Sequence, residues 1–269
     1  MSIDRIDRID RMAPRGLKSA LKKSAPAALV GTGKYRGFAV LRQDKKTSTK
    51  LRGLTKRLEK TIWSDGTLPS IAKRSNGRAG GHWAGKQGGR QRGAKVDAQL
   101  TRLINAGPAE MKRALHVYRL TKMVLSGLAS KGLEPVLAQR AVISETHRVG
   151  TAADIMAYDK KANQLVVVEL KTGFDNGRQA AAVKNGKACK MAAPLGSASD
   201  CNVHRHLAQL TVTHKLLLRE TQTLDRLGEL GLEREVRGVL MYANDEGVEF
   251  YELTEWWAKR AAKLLNAIA

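Results

Sequence analysis

Three residues near the middle of the chain have the types and spacing for hydrolytic chemistry: Asp154, Glu169 and Lys171. Glu169 and Lys171 stand at i and i+2 in Val168-Glu-Leu-Lys-Thr-Gly173. In an extended strand such residues emerge on one face, about 6 to 7 Å apart. Asp154 ends Gly150-Thr-Ala-Ala-Asp154, upstream by the length of a hairpin. If the chain reverses near Lys160-Lys-Ala-Asn163, an antiparallel neighbour carries Asp154 to the depth of Glu169. Two carboxylates and an ammonium then meet at the rim of one sheet. Carboxylate oxygens are hard ligands suited to Mg2+, with Mn2+ able to substitute, and they leave coordination positions for water and phosphate. A dication there lowers the pKa of water and shields a phosphate, while Lys171 orients the water or stabilises developing charge. Many Glu-x-Lys sequences are plain surface ion pairs. This one ends a strongly apolar run, where charge is disfavoured unless paired or functional.

The elements that must position these residues follow from hydrophobic period and breakers. Residues 164–170 are rich in β-branched side chains and almost continuously apolar, as in a central strand buried on both faces. Strands are expected at 134–143 and 152–158 before it, with Leu170 pointing into the core opposite Glu169 and Lys171. A helix is expected at 95–106, ended by Gly107-Pro108, and a longer one at 109–130, with Gly132 after its end. After a basic, glycine-containing loop at 172–201, a helix at 202–219 precedes a hairpin with arms at 236–242 and 248–252. A helix capped by Thr254 closes the chain. Helix, three strands, helix, strand is a mixed α/β order.

The chain has 269 residues and a formal net charge of +23, unevenly spread. Residues 1–95 hold 24 Lys and Arg against 6 Asp and Glu, whereas residues 96–269 hold 24 against 19. Such asymmetry points to a polyanionic partner, since each neutralised phosphate releases counterions. The first 90 residues contain a threefold Ile-Asp-Arg repeat, a short helical pattern at 49–62, and a Gly- and Arg-rich stretch around His82 and Trp83. They are expected to form a largely disordered, nucleic-acid-contacting arm (1–90) before a folded domain at 91–269. No apolar run approaches the roughly 20 residues of a membrane span, and no secretory or transit signal is legible. Two cysteines, Cys189 and Cys201, make neither a disulfide scaffold nor a four-cysteine metal site, so an intracellular, reducing compartment is expected.

Gly150 with Asp154, then Glu169-Leu-Lys-Thr-Gly173, then Gln209-Leu210 on a downstream helix resembles the PD-(D/E)XK nuclease superfamily, nearest its RecB nuclease-domain and lambda-exonuclease-like branch. The resemblance spans about residues 93–253 and implies a restriction-endonuclease-like αβββαβ core. It implies a Mg2+-dependent deoxyribonuclease, of exonuclease type, acting in recombination, repair or replication. Asp154 and Glu169 would be metal ligands with the main-chain carbonyl of Leu170, Lys171 the catalytic lysine, and Gln209 a positioning residue. Thr213 stands where relatives commonly carry tyrosine, which weakens the case for Gln209. Relatives also bring a His or acidic residue from an upstream helix; Asp97 matches that position, and Glu110 on the next helix is its rival. Two alternatives stay open, a non-catalytic nucleic-acid-binding protein that retains the nuclease fold and a structure-specific endonuclease of the junction-resolvase type, and ring-forming relatives leave room for a homo-oligomer.

Other residues complete the candidate set. Arg90 and Arg92 sit at the basic junction before the domain, and Lys184, Lys187 and Lys190 recur every third residue in the loop after Lys171, either lining a strand-guiding groove or solvated. His204 and His206, at i and i+2, share no helical face and are expected at the surface, although one could meet a phosphate near the start of its helix. Glu145 reads as a turn carboxylate, and of Trp256 and Trp257 one is expected to pack in the core.

Overall fold

The three valines at 166–168 have almost no exposed surface, and alternate members face two different clusters of apolar side chains. They lie in the centre of a computed structural model that describes residues 13–23, 28–30, 37–41, 48–68, 86–172, 178–244 and 247–269. In chain order its elements are α1 (Leu17–Lys23), β1 (Ala28–Val30), β2 (Gly37–Leu41), β3 (Ser48–Gly53), α2 (Leu54–Thr61), α3 (Lys86–Ala106), α4 (Pro108–Arg113) and α5 (Arg119–Ser130). Next come β4 (Leu133–Ser144), β5 (Val149–Asp159), β6 (Gln164–Thr172), β7 (Val183–Lys184), β8 (Lys187–Ala188), α6 (Asn202–Leu217), α7 (Thr221–Glu229), β9 (Val236–Ala243), β10 (Val248–Glu252) and α8 (Glu255–Ala267).

The fold is mixed α/β. Five strands in the order β4-β5-β6-β9-β10 form its sheet, antiparallel throughout except that β6 and β9 run parallel. The hairpins β1-β2-β3 join through a two-residue parallel pairing of Arg52 and Gly53 with Val149 and Gly150. One face is covered by α1, α2, α6, α7 and α8, the other by α3 and α5, so the sheet is the middle of three layers. Leu165 and Val167 belong to the first cluster and Val166 and Val168 to the second, as the two-residue period requires.

The edge of β5 opposite β4 explains where chemistry can gather. Near the turn, Ile155 to Asp159 pair with Val168 to Gln164, and at the far end Val149 and Gly150 pair with β3. Between them, residues 151–154 have no ladder partner on that edge among the described residues. β6 splays away there and continues alongside β9 to Thr172, so a fork opens at Asp154.

Three differences from the sequence expectations have physical causes. The expected helix at 109–130 is two, α4 and α5, separated at 114–118, where Leu115 and Tyr118 are exposed rather than on a buried stripe. The break is pinned by Gln99 on α3, whose Nε2 donates to the His116 carbonyl at 2.8 Å and whose Oε1 accepts from the Tyr118 N–H at 2.9 Å. The pattern at 49–62 divides into the end of β3 and α2, and α3 begins nine residues before the expected start of its helix.

The folded core also draws on residues before 91. Leu17 and Leu21 of α1, and Leu54, Leu58 and Ile62 in and just after α2, are buried in the first cluster. Lys18 Nζ donates to the Ile104 carbonyl at 2.7 Å, and Arg57 Nη1 donates to that of Ile268. These segments are part of the domain rather than of a detached arm; the Ile-Asp-Arg repeat, His82 and Trp83 lie outside the described residues. Among the described residues no helix is long and apolar enough to cross a membrane, and both cysteines are free thiols. Leu58→Ala should cost about 2–5 kcal/mol in denaturant melts, as expected for a fully buried leucine. A change under about 0.5 kcal/mol, typical of a surface position, would detach α2 from the core.

Candidate active site at a strand fork

Glu169 and Lys171 follow Val167 on the face of β6 that meets α6, and the β5-β6 register places Asp154 opposite Glu169, one step beyond the Ile155–Val168 pair. The Asp154 carboxylate fills the fork. Its Oδ2 accepts the Leu170 backbone N–H at 2.9 Å, the donor that β5 would have satisfied had the ladder continued. Its Oδ1 accepts from Gln139 Nε2 at 3.2 Å, and the same nitrogen donates to Asp97 Oδ1 at 2.8 Å. Lys171 Nζ donates to Glu169 Oε1 at 2.5 Å. The other carboxylate oxygen, Glu169 Oε2, is buried without a hydrogen-bond partner among the described residues, and the residue is 1 % exposed.

Burial raises the Glu169 pKa from 4.5 to about 7, with the Asp154 charge adding to it and Lys171 opposing it. Asp154 is also raised, by burial above all, against the pull of Lys171, the Leu170 N–H and Gln139. Burial lowers the Lys171 ammonium, yet Glu169, Asp154 and Asp97 together outweigh it, and its pKa ends above the usual lysine value. Two carboxylates, the charge of one raising the proton affinity of the other, form a cluster with the Lys171 charge.

That donor set fits a divalent cation. Asp154 and Glu169 offer hard carboxylate oxygens from adjacent strands, and Glu169 Oε2, with no hydrogen-bond donor among the described residues, has a lone pair to give a cation. Among the described residues no three His, Cys, Asp or Glu side chains form a ready-made metal cluster. Instead the Gln139 amide spans Asp97 and Asp154, and Lys171 holds Glu169.

Asp97, on α3, is therefore joined to the site through Gln139, whereas Glu110 pairs with Arg102 at 3.7 Å. Leu170 packs against the second cluster. Gln209 lies on α6, but no hydrogen bond joins its side chain to Asp154, Glu169 or Lys171 among the described residues; its carbonyl accepts from Thr213 Oγ1. Lys184 pairs with Asp65 on an exposed β7-β8 hairpin that also bears Lys187, and Lys190 follows it. That hairpin is tied to residues 67, 182, 198 and 200 rather than to Lys171 among the described hydrogen bonds. Arg92 is half-buried on α3, and the side chain of Arg90 lies outside the described residues. Glu145 is an exposed turn residue, and Trp257 is the buried member of its pair.

One residue near the site escapes the sequence reading, and a second is placed differently from its expectation. Gln139 has φ +55° in mid-strand, a left-handed conformation costing on the order of 1–3 kcal/mol for a non-glycine residue, and no local pattern announces it. His206 is half-buried rather than on the surface, with Nδ1 2.7 Å from the Tyr242 hydroxyl. Tyr242 is the cross-strand partner of Lys171, a relation only tertiary pairing creates. No family model matches the chain, and no curated protein matches it significantly.

The raised Glu169 pKa has a consequence for stability. The folded chain holds this proton more tightly than an unfolded one, in which the group titrates near 4.5. The group therefore destabilises the fold progressively as pH rises from about 4.5 through about 7. Without divalent cation, Glu169→Gln should gain melting temperature over the native chain at pH 8 but not at pH 4.5. A difference independent of pH would show that Glu169 titrates normally.

Proposed function

We propose that the chain is a metal-dependent DNA nuclease whose active site is the β5-β6 fork, with a core of the PD-(D/E)XK kind. The observation that carries this reading is the junction itself: Asp154 bonded to the Leu170 N–H while the half-free carboxylate of Glu169 is held beside Lys171. A helix, a three-strand antiparallel meander, a further helix and a strand parallel to the third support it, as does the concentration of positive charge in residues 1–95.

Asp154 and Glu169 would hold Mg2+ or Mn2+, with the Leu170 carbonyl and Asp97 as further oxygen donors. The cation, when bound, activates water for attack and offsets the charge of the phosphate. Around it the chain's own groups have separate tasks. Lys171, 19 % exposed at its side chain, keeps its proton across the neutral range and can donate to a water or to a phosphate oxygen. The Leu170 N–H and the Gln139 amide, one on each oxygen, hold the Asp154 carboxylate in one orientation. Gln139 fixes the distance between Asp97 and Asp154. The basic N-terminal segments would supply sequence-independent, salt-sensitive affinity for the phosphate backbone.

The expected activity is Mg2+- or Mn2+-dependent degradation of end-labelled linear duplex DNA, stopped by EDTA, with less attack on nicked circles and branched junctions. Lys171→Ala should reduce cleavage by about a hundredfold or more and leave DNA binding within about threefold. A native chain that binds DNA without cutting it under any divalent cation would favour a non-catalytic binding protein. Preferential cutting of branched substrates would favour a junction-specific endonuclease.

A further inference from the structure

On the nuclease reading above, Lys171 is one donor to the scissile phosphate, and the packing beside it supplies a second. We infer that His206 is a catalytic residue that donates a hydrogen bond from Nε2 to a non-bridging oxygen of the phosphodiester, and that Tyr242 is its positioning residue. Tyr242 lies directly across the β6-β9 ladder from Lys171, on the same face of the sheet. From the second turn of α6 the His206 ring meets it, centroids 5.7 Å apart, with Nδ1 on the Tyr242 hydroxyl at 2.7 Å.

The phenol is clamped. Tyr242 is 2 % exposed, the Arg178 guanidinium lies 4.9 Å above its ring, and Tyr251 meets it edge-on at 5.8 Å. Glu249 holds both Arg178 and Tyr251, and the Arg178 carbonyl accepts the Val203 N–H at the first turn of α6. A phenol fixed in this way holds the imidazole in one orientation.

The direction of the hydrogen bond between Tyr242 and His206 decides what the imidazole presents. Burial keeps Tyr242 protonated, so its hydroxyl can donate to Nδ1. Burial, reinforced by the charges of Lys171 and Arg205, keeps His206 neutral. A neutral imidazole that accepts at Nδ1 carries its one proton at Nε2. His206 is half-buried, not sealed in the core, and the tyrosine that it meets is the ladder neighbour of Lys171. A neutral donor there grips a phosphate oxygen without a second cation to repel Lys171.

The test compares the native chain with His206→Ala, His206→Gln and Tyr242→Phe on end-labelled linear duplex DNA in Mn2+, with melting temperatures and Mn2+ binding measured on each. His206→Ala should lower kcat about a hundredfold with KM within about threefold. His206→Gln, whose amide can still donate, should recover at least about tenfold of that loss. Tyr242→Phe should lower kcat by a smaller factor, and Mn2+ binding should be unchanged in all three. Cleavage by His206→Ala within threefold of the native chain would overturn the role while leaving the nuclease reading intact. So would a His206→Gln variant as slow as His206→Ala with an equally lowered melting temperature, which would mark a packing histidine, or loss of Mn2+ binding, which would make His206 a metal ligand. A native chain that cuts no DNA overturns the nuclease reading and this role with it.

Discussion

A buried carboxylate beside a half-buried one is costly unless something pays the electrostatic debt, and the middle of this protein is arranged around that cost. Asp154 and Glu169 stand on the two strands of a fork in the sheet, and the charge of the first raises the proton affinity of the second. Lys171 offsets part of the charge, and the Leu170 N–H and the Gln139 amide offset more. The remainder sits on Glu169 Oε2, an acceptor with no donor among the described residues. A buried polar atom left in that state costs about 1–3 kcal/mol. A proton or a divalent cation can supply the missing positive charge.

The sheet makes the fork possible by sharing one edge of β5 between two partners. β6 occupies the turn-proximal half, β3 takes the other end, and the stretch between is given to the Asp154 side chain. A side-chain carboxylate thereby substitutes for a backbone carbonyl on the Leu170 N–H, which fixes its direction. From the opposite layer, α3 delivers Asp97, and the left-handed Gln139 closes the link between that helix and the fork. On the near layer, α6 carries His206 to Tyr242, one ladder step from Lys171. Strain at Gln139 and clamping at Tyr242 are both local costs borne by rigid surroundings.

Much of this was legible because the central residues obey local rules. The β-branched run at 164–170 marks a doubly buried strand, and the i, i+2 period puts Glu169 and Lys171 together on one face. The turn residues at 160–163, where Asn163 has φ +51°, set the register that brings Asp154 opposite Glu169. What was hidden depends on distant partners. Gln139 looks like any strand residue until a helix 42 positions upstream supplies Asp97. His206 looks like half of an exposed pair until β9 supplies Tyr242. The break at 114–118 sits inside an apolar pattern that suits a continuous helix, and only Gln99 shows why the chain stops there. Net charge masked α1 and the membership of α2 in the core, since basic residues surround the few leucines that they bury.

The central claim is that the fork holds a dication between Asp154 and Glu169, and direct titration of Mn2+ into the protein without nucleic acid tests it. The account predicts saturable binding near pH 7 with release of part of a proton, since a cation displaces the proton that Glu169 shares at that pH. Asp154→Asn and Glu169→Gln should each remove it while leaving the fold intact. Binding that persists unchanged in both variants, or no binding by a folded native chain, would contradict it.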